Sequence, residues 1–560
     1  MVDVLRNFPL QMYRRLRAGC SWIIPVYRSL SNHQNHDDSS QLPASDSTTY
    51  SIDHGKHTFS WMGKLVPCFG INGKQVLVMT EPVEFFETLK LKCRKAKHRL
   101  VIASLYLGTG SLEEELIETI QEACQNAEKE KNDNFEVHIL LDYTRGSRGL
   151  EKNSRTMLLP LLQRFSDKVH IHLYHTPELR GLLKWLIPAR YNETIGLTHL
   201  KVYLFDDSCI ISGANLSDAY FVNRQDRYVL FNDCPKLTNF FADLVKTVMS
   251  FSFQLQTDNT TQLSPGWNIH PFEERDGGMN FKSEARQKVE EVINPEKYFI
   301  REFSDQNDSE NPSEQRALPE WRSRERTNYQ KDNESVTVEN KSSLRDNSEI
   351  DTWVYPLVQM GQLGINVDEY VTRSLLHSAE RGDEILLASG YFNLTDHYMQ
   401  VILMESQAKY NILMASPEVN GFYGAKGPAG GVPAAYVYIA KQFYNQVLQQ
   451  GQHSRIHLQE YFRNKWTFHV KGLWYYFNDQ TLPSLTLVGS PNFGYRSVYR
   501  DLECQVAIVT ENASLKQQLR EEHSRLYQLS DTVSDETFQR RDRHIPLWVK
   551  FVVSVVKNFF

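Results

Sequence analysis

One short motif occurs twice in this chain of 560 residues and limits what the chain can fold into. Each copy consists of His-x-Lys, a strand-like stretch, and a turn of small residues ending in Asn: His199-Leu200-Lys201 with Ser212-Gly213-Ala214-Asn215, and His469-Val470-Lys471 with Gly489-Ser490-Pro491-Asn492. An acidic residue follows each Asn by eleven residues, Asp226 in one copy and Glu503 in the other. A lone His-x-Lys carries little information, whereas this recurrence predicts two equivalent halves that build one active site across a pseudo-two-fold axis.

The apolar stretches of the two halves follow the same order. Residues 98–108 and 383–394 are strand-like, and each contains Ala-Ser followed by an aromatic residue, Tyr106 or Tyr391. Two more strand-like stretches follow in each half before the His-x-Lys segment, with helical stretches between them. Because strands that alternate with helices form βαβ units, the predicted fold class is α/β, with a mixed or parallel sheet in each half.

Composition divides the chain into five segments. Residues 301–350 consist mostly of Ser, Asn, Asp, Glu, Arg and Gln, which cannot bury enough apolar surface to offset the entropy of ordering. We therefore predict a targeting or disordered N-terminal segment (1–50), a first half (51–300), a polar disordered insertion (301–350), a second half (351–530) and a C-terminal segment (531–560).

The first 30 residues favour a mitochondrial transit peptide. Their arginines stand against a single acid, Asp3, with apolar residues interspersed: Arg6, Arg14, Arg15, Arg17 and Arg28. Pro9 interrupts any helix in this stretch, so an ordinary basic arm is the alternative. We predict a mitochondrial protein associated with the inner membrane.

The C-terminal segment ends in an apolar stretch, residues 545–560, that contains Lys550 and Lys557 and follows Arg540, Arg541 and Arg543. It is shorter than the ~18 apolar residues of a spanning helix. Two interpretations remain open: a segment that lies in a membrane interface with its cations at the headgroups, or a terminal element docked on the core.

Charge and cysteine usage exclude several classes. A net charge of −6 disfavours a nucleic-acid partner. The seven cysteines contain no C-x-x-C pair, which disfavours a disulfide framework and a structural zinc site. No cluster with metal-ligand spacing stands out, so we predict no metal and no cofactor. The oligomeric state is not predictable.

The duplicated residues suit phosphodiester chemistry. His199 and Lys201 occupy alternate positions of a strand, so both side chains lie on one face. If the two halves oppose these faces, two imidazoles and two ammonium groups meet. Lysines and the amides of Asn215 and Asn492 can stabilise the charge of a pentacoordinate phosphorus, while one His attacks and the other transfers protons. Asp226 and Glu503 are candidates for orienting each imidazole through its second nitrogen.

The pattern resembles the HxKxxxxD and GSxN motifs of the phospholipase D superfamily. Five stretches resemble, more specifically, the eukaryotic mitochondrial phosphatidylglycerophosphate synthase family: 103–113, 141–149, 419–431, 468–474 and 488–511. This resemblance covers about residues 58 to 529 without the polar insertion. It implies two phospholipase D-like α/β halves with the active site at their interface. It also implies membrane-surface transfer of a phosphatidyl group from CDP-diacylglycerol to glycerol 3-phosphate, with CMP released through a phosphohistidine.

The resemblance also implies catalytic residues. His199, Lys201, Asp206 and Asn215 match the first motif, and His469, Lys471, Ser490 and Asn492 match the second. By analogy His199 is the nucleophile and His469 the general acid/base, although the sequence itself does not distinguish them. Two positions depart from the pattern, because Tyr476 replaces the second Asp and Gly213 replaces the first Ser, which leaves Ser490 as the serine donor. A phosphodiesterase that uses water and a non-catalytic membrane-bound interaction protein are the alternatives.

Further residues are candidates for phosphate binding. Gly108 and Gly110 lie in a Gly-rich turn between a strand and a helix, where backbone N–H groups can hold a phosphate, although a plain tight turn is the alternative. Lys426 lies in a Gly-rich loop that can act as a lid. Arg145, Arg148 and Arg496 suit a phosphomonoester as bidentate donors, against the alternative of solvated surface arginines.

Overall fold

The computed structural model describes residues 54–181, 184, 192–298 and 350–556. The predicted N-terminal segment (1–50) and nearly all of the predicted insertion (301–350) therefore lie outside the described residues. The described chain contains both copies of the duplicated motif.

The strands of the described residues are β1 (Phe69–Ile71), β2 (Val76–Met79), β3 (Arg99–Ala103), β4 (Glu136–Asp142), β5 (Val169–Tyr174), β6 (Val202–Phe205), β7 (Ser208–Ser212), β8 (Arg224–Gln225), β9 (Tyr228–Phe231), β10 (Phe253–Leu255), β11 (Thr261–Leu263), β12 (Thr352–Met360), β13 (Ile365–Asn366), β14 (Glu384–Ser389), β15 (Lys409–Ala415), β16 (Ile456–Tyr461), β17 (Thr467–Phe468), β18 (Lys471–Tyr476), β19 (Leu485–Gly489), β20 (Leu502–Thr510) and β21 (Ser530–Thr532).

The α-helices of the same residues are α1 (His54–Phe59), α2 (Pro82–Lys95), α3 (Ser111–Lys129), α4 (Tyr143–Gly146), α5 (Ser154–Arg164), α6 (Asp218–Val222), α7 (Pro235–Ser250), α8 (Met279–Ile293), α9 (Val367–His377), α10 (Asp396–Gln400), α11 (Val432–Gln449), α12 (Tyr495–Tyr499), α13 (Ala513–Tyr527), α14 (Asp535–Gln539) and α15 (Leu547–Val556).

Two large mixed sheets repeat one strand order. The first runs β11-β10-β5-β4-β3-β6-β7-β9-β2, and the second contains β16-β15-β14-β18-β19-β20-β12 in the corresponding order. In each sheet three strands are parallel (β3 to β5, β14 to β16), and the strand that follows His-x-Lys is antiparallel to its neighbour. The α/β fold class and the duplicated architecture predicted from the sequence are confirmed.

Strand side chains divide between two hydrophobic cores. In β6, Val202 and Leu204 belong to a core shared with the second half, whereas Tyr203 and Phe205 belong to a core shared with α2 and α3 of the first half. This division follows from the two-residue period of a strand, which sends alternate side chains to opposite faces. The end of β6 that carries the His-x-Lys segment is therefore held rigidly between the two halves.

A buried arginine joins the two halves next to the motif. Arg227 donates two hydrogen bonds to the Glu522 carboxylate, at 2.7 and 2.8 Å, and its guanidinium lies 4.0 Å above the Trp474 ring. It also donates to the Leu487 carbonyl at 2.7 Å. Because Arg227 follows Asp226 directly, this network fixes the backbone that carries the acid of the first motif.

The C-terminal helix packs on α11. Val549 and Val553 of α15 contact Ala435, and the ring of the half-exposed Trp548 lies against Gly431 at the start of α11. Leu547 and Phe551 are exposed. In the part of the chain that the structure describes, no helix is long and apolar enough to cross a membrane. One face of α15 is thus docked on the core, and the opposite face is apolar and uncovered.

Candidate active site

The two motif histidines line one cavity. It contains about 460 Å³ of space that no protein atom fills, open solvent included, and its lining comes mainly from the second half: His199, Tyr391, Tyr436, His469, Asn492, Gly494, Arg496, Ser497 and Asp501. His199 comes from the first half and His469 from the second. The structure therefore brings together the two residues that the sequence placed at a shared site.

Backbone pairing between the halves positions each His. The N–H of His199 donates to the Leu502 carbonyl at 2.7 Å, and the N–H of His469 donates to the Gln225 carbonyl at 2.8 Å. Leu502 and Gln225 each precede the acid of the other half's motif. In both cases the acid side chain is therefore delivered beside the histidine of the opposite half.

The acids orient the histidines across the halves. Nδ1 of His199 lies 2.8 Å from Oε2 of Glu503, and Nδ1 of His469 lies 2.6 Å from Oδ2 of Asp226. Since a carboxylate accepts a proton, Nδ1 of a neutral imidazole carries the hydrogen and Nε2 keeps its lone pair. Ser497 donates to the other oxygen of Glu503 at 2.7 Å, so this carboxylate has little freedom to rotate.

Burial tunes the charges of the site. Burial, and then the charge of the adjacent lysine, holds the pKa of each motif histidine well below its usual value, so both imidazoles are neutral in the free protein. Burial lowers the pKa of Lys201 to about 7 and that of Lys471 to about 8. It also raises the pKa of Asp226 to about 6, with Lys471 opposing the shift.

The motif lysines bond to the backbone of their own histidines. Nζ of Lys201 donates to the His199 carbonyl at 3.0 Å, and Nζ of Lys471 donates to the His469 carbonyl at 2.8 Å. In the described part of the chain neither lysine forms a salt bridge with a carboxylate. Nζ of Lys471 also lies 2.8 Å from Nδ1 and 3.2 Å from Nε2 of His469, so this lysine contacts the imidazole itself. Gly472 has φ +116°, and a side chain there would collide with the Leu487 carbonyl, so glycine is required after Lys471.

Asn215 reaches the site through a tyrosine that sequence analysis missed. Its side-chain amide donates to the Tyr220 hydroxyl at 3.1 Å, and that hydroxyl lies 3.2 Å from Nε2 of His469. A tyrosine that accepts from the amide donates its own hydrogen to Nε2. Asn492 lines the cavity directly. The spacing of Tyr220 from the motif gave no signal, because a short helix, α6, turns it back toward the second half.

Ser490 is not available as a donor to a ligand. Its hydroxyl donates to the Cys504 carbonyl and accepts from the Cys504 N–H, both at 3.1 Å. Gly213 occupies the corresponding position of the first half, where a Cβ would lie 2.5 Å from Oδ1 of Asp226. Both motif turns therefore pack against the strand that carries the acid, and in the structure Ser490 holds its turn to that strand.

Asp206 lies away from the site. Its carboxylate accepts from the N–H groups of Lys97, His98 and Arg99 at 2.8 to 3.0 Å, beyond the end of β6 opposite Lys201. At about 3.3 Å per residue, this strand separates it from the lysine by more than 10 Å. The structure thus places Asp206, which was predicted to be catalytic, at the junction of β6 with the start of β3 and not at the cavity.

The second half closes the same strand junction differently. Tyr476 stands where the motif Asp would be, and its hydroxyl bonds to His523. The carboxylate comes from the neighbouring strand, since Asp383 accepts from the Asn478 N–H at 3.1 Å and from the Tyr475 hydroxyl. Asp383 thus supplies the carboxylate that the second motif lacks at Tyr476.

The Gly-rich turn at 108–110 gives no support to a phosphate site. The Gly108 N–H donates to the Leu216 carbonyl at 2.7 Å, and the Gly110 N–H donates to the Glu113 carboxylate at 3.0 Å. A Cβ at Gly110 would lie 2.2 Å from Asp218. Protein acceptors therefore engage both amides, and acidic side chains surround the turn, which corrects the prediction that these amides hold a phosphate.

The cationic candidates lie at different depths. Arg496 lines the cavity and pairs with Asp501 at 3.2 Å. Arg145 lies 4.0 Å above the Tyr106 ring, and Arg148 pairs with Glu193 at 2.6 Å. Lys426 is exposed in the loop that precedes α11. Arg496 is therefore the predicted arginine that the structure brings directly beside His199.

Several curated proteins are similar to this chain over most of its length. A chicken protein (Gallus gallus) is 52% identical over 507 residues, which cover 90% of this chain and 87% of that protein. A human protein is 50% identical over 90% of this chain and 86% of its own length. Both are named CDP-diacylglycerol–glycerol-3-phosphate 3-phosphatidyltransferase, mitochondrial. A yeast protein (Saccharomyces cerevisiae) with the same enzyme name is 32% identical over 89% of this chain and 91% of its own.

A solved structure has the same fold. The phosphatidylserine synthase of Haemophilus influenzae Rd KW20 superposes with a TM-score of 0.62 at 17% identity, over 90% of this chain and 98% of the other. At that identity the likeness extends to the fold alone. No family model matches the chain. Within the described ranges, no group of three or more His, Cys, Asp or Glu residues is arranged to hold a metal ion.

Proposed function

The chain belongs to the family of CDP-diacylglycerol–glycerol-3-phosphate 3-phosphatidyltransferases, and we propose that its two motif histidines perform this transfer through a covalent phosphatidyl-histidine. The family predicted from the motifs is confirmed. The reaction moves a phosphatidyl group from CDP-diacylglycerol to glycerol 3-phosphate and yields phosphatidylglycerophosphate and CMP. The location is mitochondrial.

The crossed pairs of histidine and acid carry the mechanistic proposal. Each pair leaves Nε2 of its imidazole as the reactive atom. In the first step, Nε2 of His199 attacks the phosphorus of the diacylglycerol phosphate, the bond to the cytidylate oxygen breaks, and His469 donates a proton to that oxygen. In the second step, His469 takes the proton of the glycerol 3-phosphate hydroxyl, whose oxygen attacks phosphorus and releases His199.

The surroundings of the two Nε2 atoms favour His199 as the nucleophile. Nε2 of His469 already bonds to the Tyr220 hydroxyl, whereas in the described residues Nε2 of His199 has no such partner. A free lone pair in the cavity suits attack on phosphorus, and a hydrogen-bonded nitrogen suits proton transfer. A bound diphosphate raises the proton affinity of His469, because a nearby anion favours the charged imidazolium.

The lysines and asparagines supply the electrostatic part. The ammonium groups of Lys201 and Lys471 lie buried beside the motif histidines, and Asn492 lines the cavity. We assign them to the non-bridging oxygens, on which charge develops. Preorganised donors of this kind are worth about 10²–10³-fold in rate each. Arg496 is a candidate for the same phosphate from the side of His199, at the position where it pairs with Asp501.

Purified protein with labelled CDP-diacylglycerol tests the function. We expect labelled phosphatidylglycerophosphate and continuous CMP release only when glycerol 3-phosphate is present, CMP release of at most one equivalent without it, and loss of both products in His199→Ala and in His469→Ala. His457→Ala is the matched control, since His457 is exposed on β16. Equal release of phosphatidate without acceptor would instead identify a water-using phosphodiesterase. Absence of any CMP release would identify a non-catalytic protein.

A lipid bilayer is the proposed partner of the surface beside the site. The exposed apolar residues there lie on two adjoining elements: Phe422 and Tyr423 in the loop before α11, and Leu547, Trp548, Phe551 and Val555 on α15. The Phe422 ring lies 6.1 Å from the Tyr391 ring, which in turn contacts His469. Lys426 and Lys550 add positive charge that complements anionic headgroups. A lipid substrate can therefore enter the cavity from this surface.

Vesicle flotation tests this partner. Anionic vesicles are expected to capture most of the wild-type protein but little of the double variant Trp548→Ser, Phe551→Ser. Neutral vesicles are expected to capture less of either protein. Val83→Ser is the control, because Val83 is exposed on α2, in the other half of the molecule. Undiminished flotation of the double variant would refute this surface as the membrane contact.

A further inference from the structure

We propose that Arg224 forms a second phosphate subsite, which holds the phosphate that leaves with the nucleotide. The inference rests on the proposed function, because it assigns a residue to one of the two phosphates of CDP-diacylglycerol. Sequence analysis did not single out Arg224. Its signal is positional, since Arg224 precedes Asp226 by two residues on an extended segment.

Arg224 and Asp226 point to the same side of their strand, because side chains alternate along extended chain. Asp226 holds His469, so the Arg224 side chain runs beside the same imidazole. Nε of Arg224 donates to the Thr467 hydroxyl at 2.9 Å, and the guanidinium lies 4.6 Å above the Tyr220 ring. These contacts come from both halves and fix the guanidinium on the His469 side of the site.

The corresponding residue of the other half has the opposite charge. Asp501 precedes Glu503 by two residues, and it pairs with Arg496 at 3.2 Å. On the His199 side the cation is therefore compensated by a carboxylate. In the described part of the chain no carboxylate forms a salt bridge with Arg224. The pseudo-two-fold symmetry of the site is broken beside His469, where the described residues place an arginine without a carboxylate at salt-bridge distance.

The backbone of the loop before α11 comes close to the guanidinium at a glycine, Gly421. A Cβ at Gly421 would lie 2.8 Å from the Tyr391 hydroxyl and 3.6 Å from Nη2 of Arg224. Any side chain at this position would crowd the space between the tyrosine and the arginine. The same loop carries the exposed Lys426.

The chemistry of the substrate supplies the anion. The diphosphate of CDP-diacylglycerol presents the phosphorus of its diacylglycerol phosphate to the nucleophile. The neighbouring cytidylate phosphate departs on the side of the general acid. A guanidinium binds phosphate through two parallel hydrogen bonds and stays charged throughout the reaction. Beside His469, Arg224 is positioned to hold the cytidylate phosphate as its charge develops. The phosphate of glycerol 3-phosphate has the same chemistry and is the competing source.

Direct binding of CMP separates this role from the chemistry. Calorimetry on the full chain is expected to give a Kd for CMP that is about 10- to 100-fold higher in Arg224→Gln than in wild type, with Arg224→Lys between them. Gly421→Ala narrows the subsite without a change of charge and is also expected to weaken the binding of CMP. Arg94→Gln is the matched control, because Arg94 is an exposed arginine paired with Glu122 on the first-half helices.

Kinetics distinguish the two phosphate sources. In Arg224→Gln the KM for CMP in isotope exchange with CDP-diacylglycerol is expected to rise, while the KM for glycerol 3-phosphate stays within about two-fold of wild type. An unchanged Kd for CMP would overturn the proposal, and so would a rise confined to the KM for glycerol 3-phosphate. If wild type binds CMP but does not exchange it, the covalent route fails while the Arg224 subsite stands on the binding data.

Discussion

Asp226 of the first half accepts a hydrogen bond from Nδ1 of His469 of the second half, across 2.6 Å. Glu503 and His199 repeat this relationship in the opposite direction. Neither half therefore contains an oriented histidine by itself. The active site is a property of the interface, and the strand pairing that joins His469 to Gln225 and His199 to Leu502 is what assembles it.

Removal of one acid charge is expected to impair catalysis without unfolding the protein. Asp226→Asn keeps the size of the side chain but can present an amide N–H to His469, which favours the wrong tautomer. We expect kcat to fall by about 10²–10⁴-fold, with thermal unfolding little changed. Steady-state kinetics and calorimetry on the same preparation check this. A kcat within a few-fold of wild type would contradict the crossed pairing.

The buried lysines predict the alkaline limb of the pH profile. Both must be protonated to hold a phosphate, and burial lowers their pKa values to about 7 for Lys201 and about 8 for Lys471. The protonated form is present below these values and is lost above them. We therefore expect kcat/KM for CDP-diacylglycerol to decline as the pH rises through 7 to 8.

The limb for kcat should lie at higher pH, because a bound diphosphate favours the charged lysines. Low-pH loss should occur below the usual histidine range, since the nucleophile His199 must be neutral and burial holds its pKa well down. A kcat/KM that stays constant between about pH 6 and pH 9 would contradict the assignment of the lysines.

Replacement of Arg227 is expected to lower the free energy of unfolding strongly. Arg227→Met leaves the Glu522 carboxylate buried without its partner, which costs about 3–5 kcal/mol. Replacing both residues, Arg227→Met with Glu522→Leu, removes the uncompensated charge and should recover much of that loss. Urea unfolding of the single and double variants measures both effects. A single variant as stable as wild type would show that this ion pair does not lock the halves together.

Asp206 is expected to matter for folding and not for chemistry. Asp206→Ala removes the acceptor of three backbone N–H groups, which we expect to lower stability by about 1–3 kcal/mol. The kcat of the folded fraction should equal that of wild type, because the carboxylate lies beyond the far end of β6. Active-site titration combined with thermal melts tests this. A loss of kcat comparable to that of His199→Ala would show that Asp206 takes part in catalysis.

The local part of this architecture could be predicted from the sequence. The strand-like stretches 98–108 and 383–394 contain β3 and β14, and two further parallel strands follow in each half as expected, because buried strands of βαβ units are continuous apolar runs. Among the helices, α2 (Pro82–Lys95) begins with a Pro, which is favoured in the first turn of a helix. Duplication of His-x-Lys and Asn was sufficient to indicate a shared site.

The tertiary part could not be predicted in the same way. Spacing alone could not show that Asp226 serves the histidine of the other half, because the crossing depends on how two sheets pack. Tyr220 and Arg224 reach the site through the same interface, and neither belongs to a motif. Asp206 and Ser490 occupy motif positions, yet the structure places the first at a strand junction and the second in a turn, which a motif alone does not reveal.

Trapping the covalent intermediate tests the central claim most directly. Wild-type protein is mixed with phosphorus-labelled CDP-diacylglycerol without glycerol 3-phosphate, quenched in base, digested and mapped. A two-half site with His199 as nucleophile predicts near-stoichiometric CMP release and label on the peptide that contains His199, and addition of glycerol 3-phosphate before the quench should remove the label. Label on His469, or CMP release with no labelled peptide, would contradict the account.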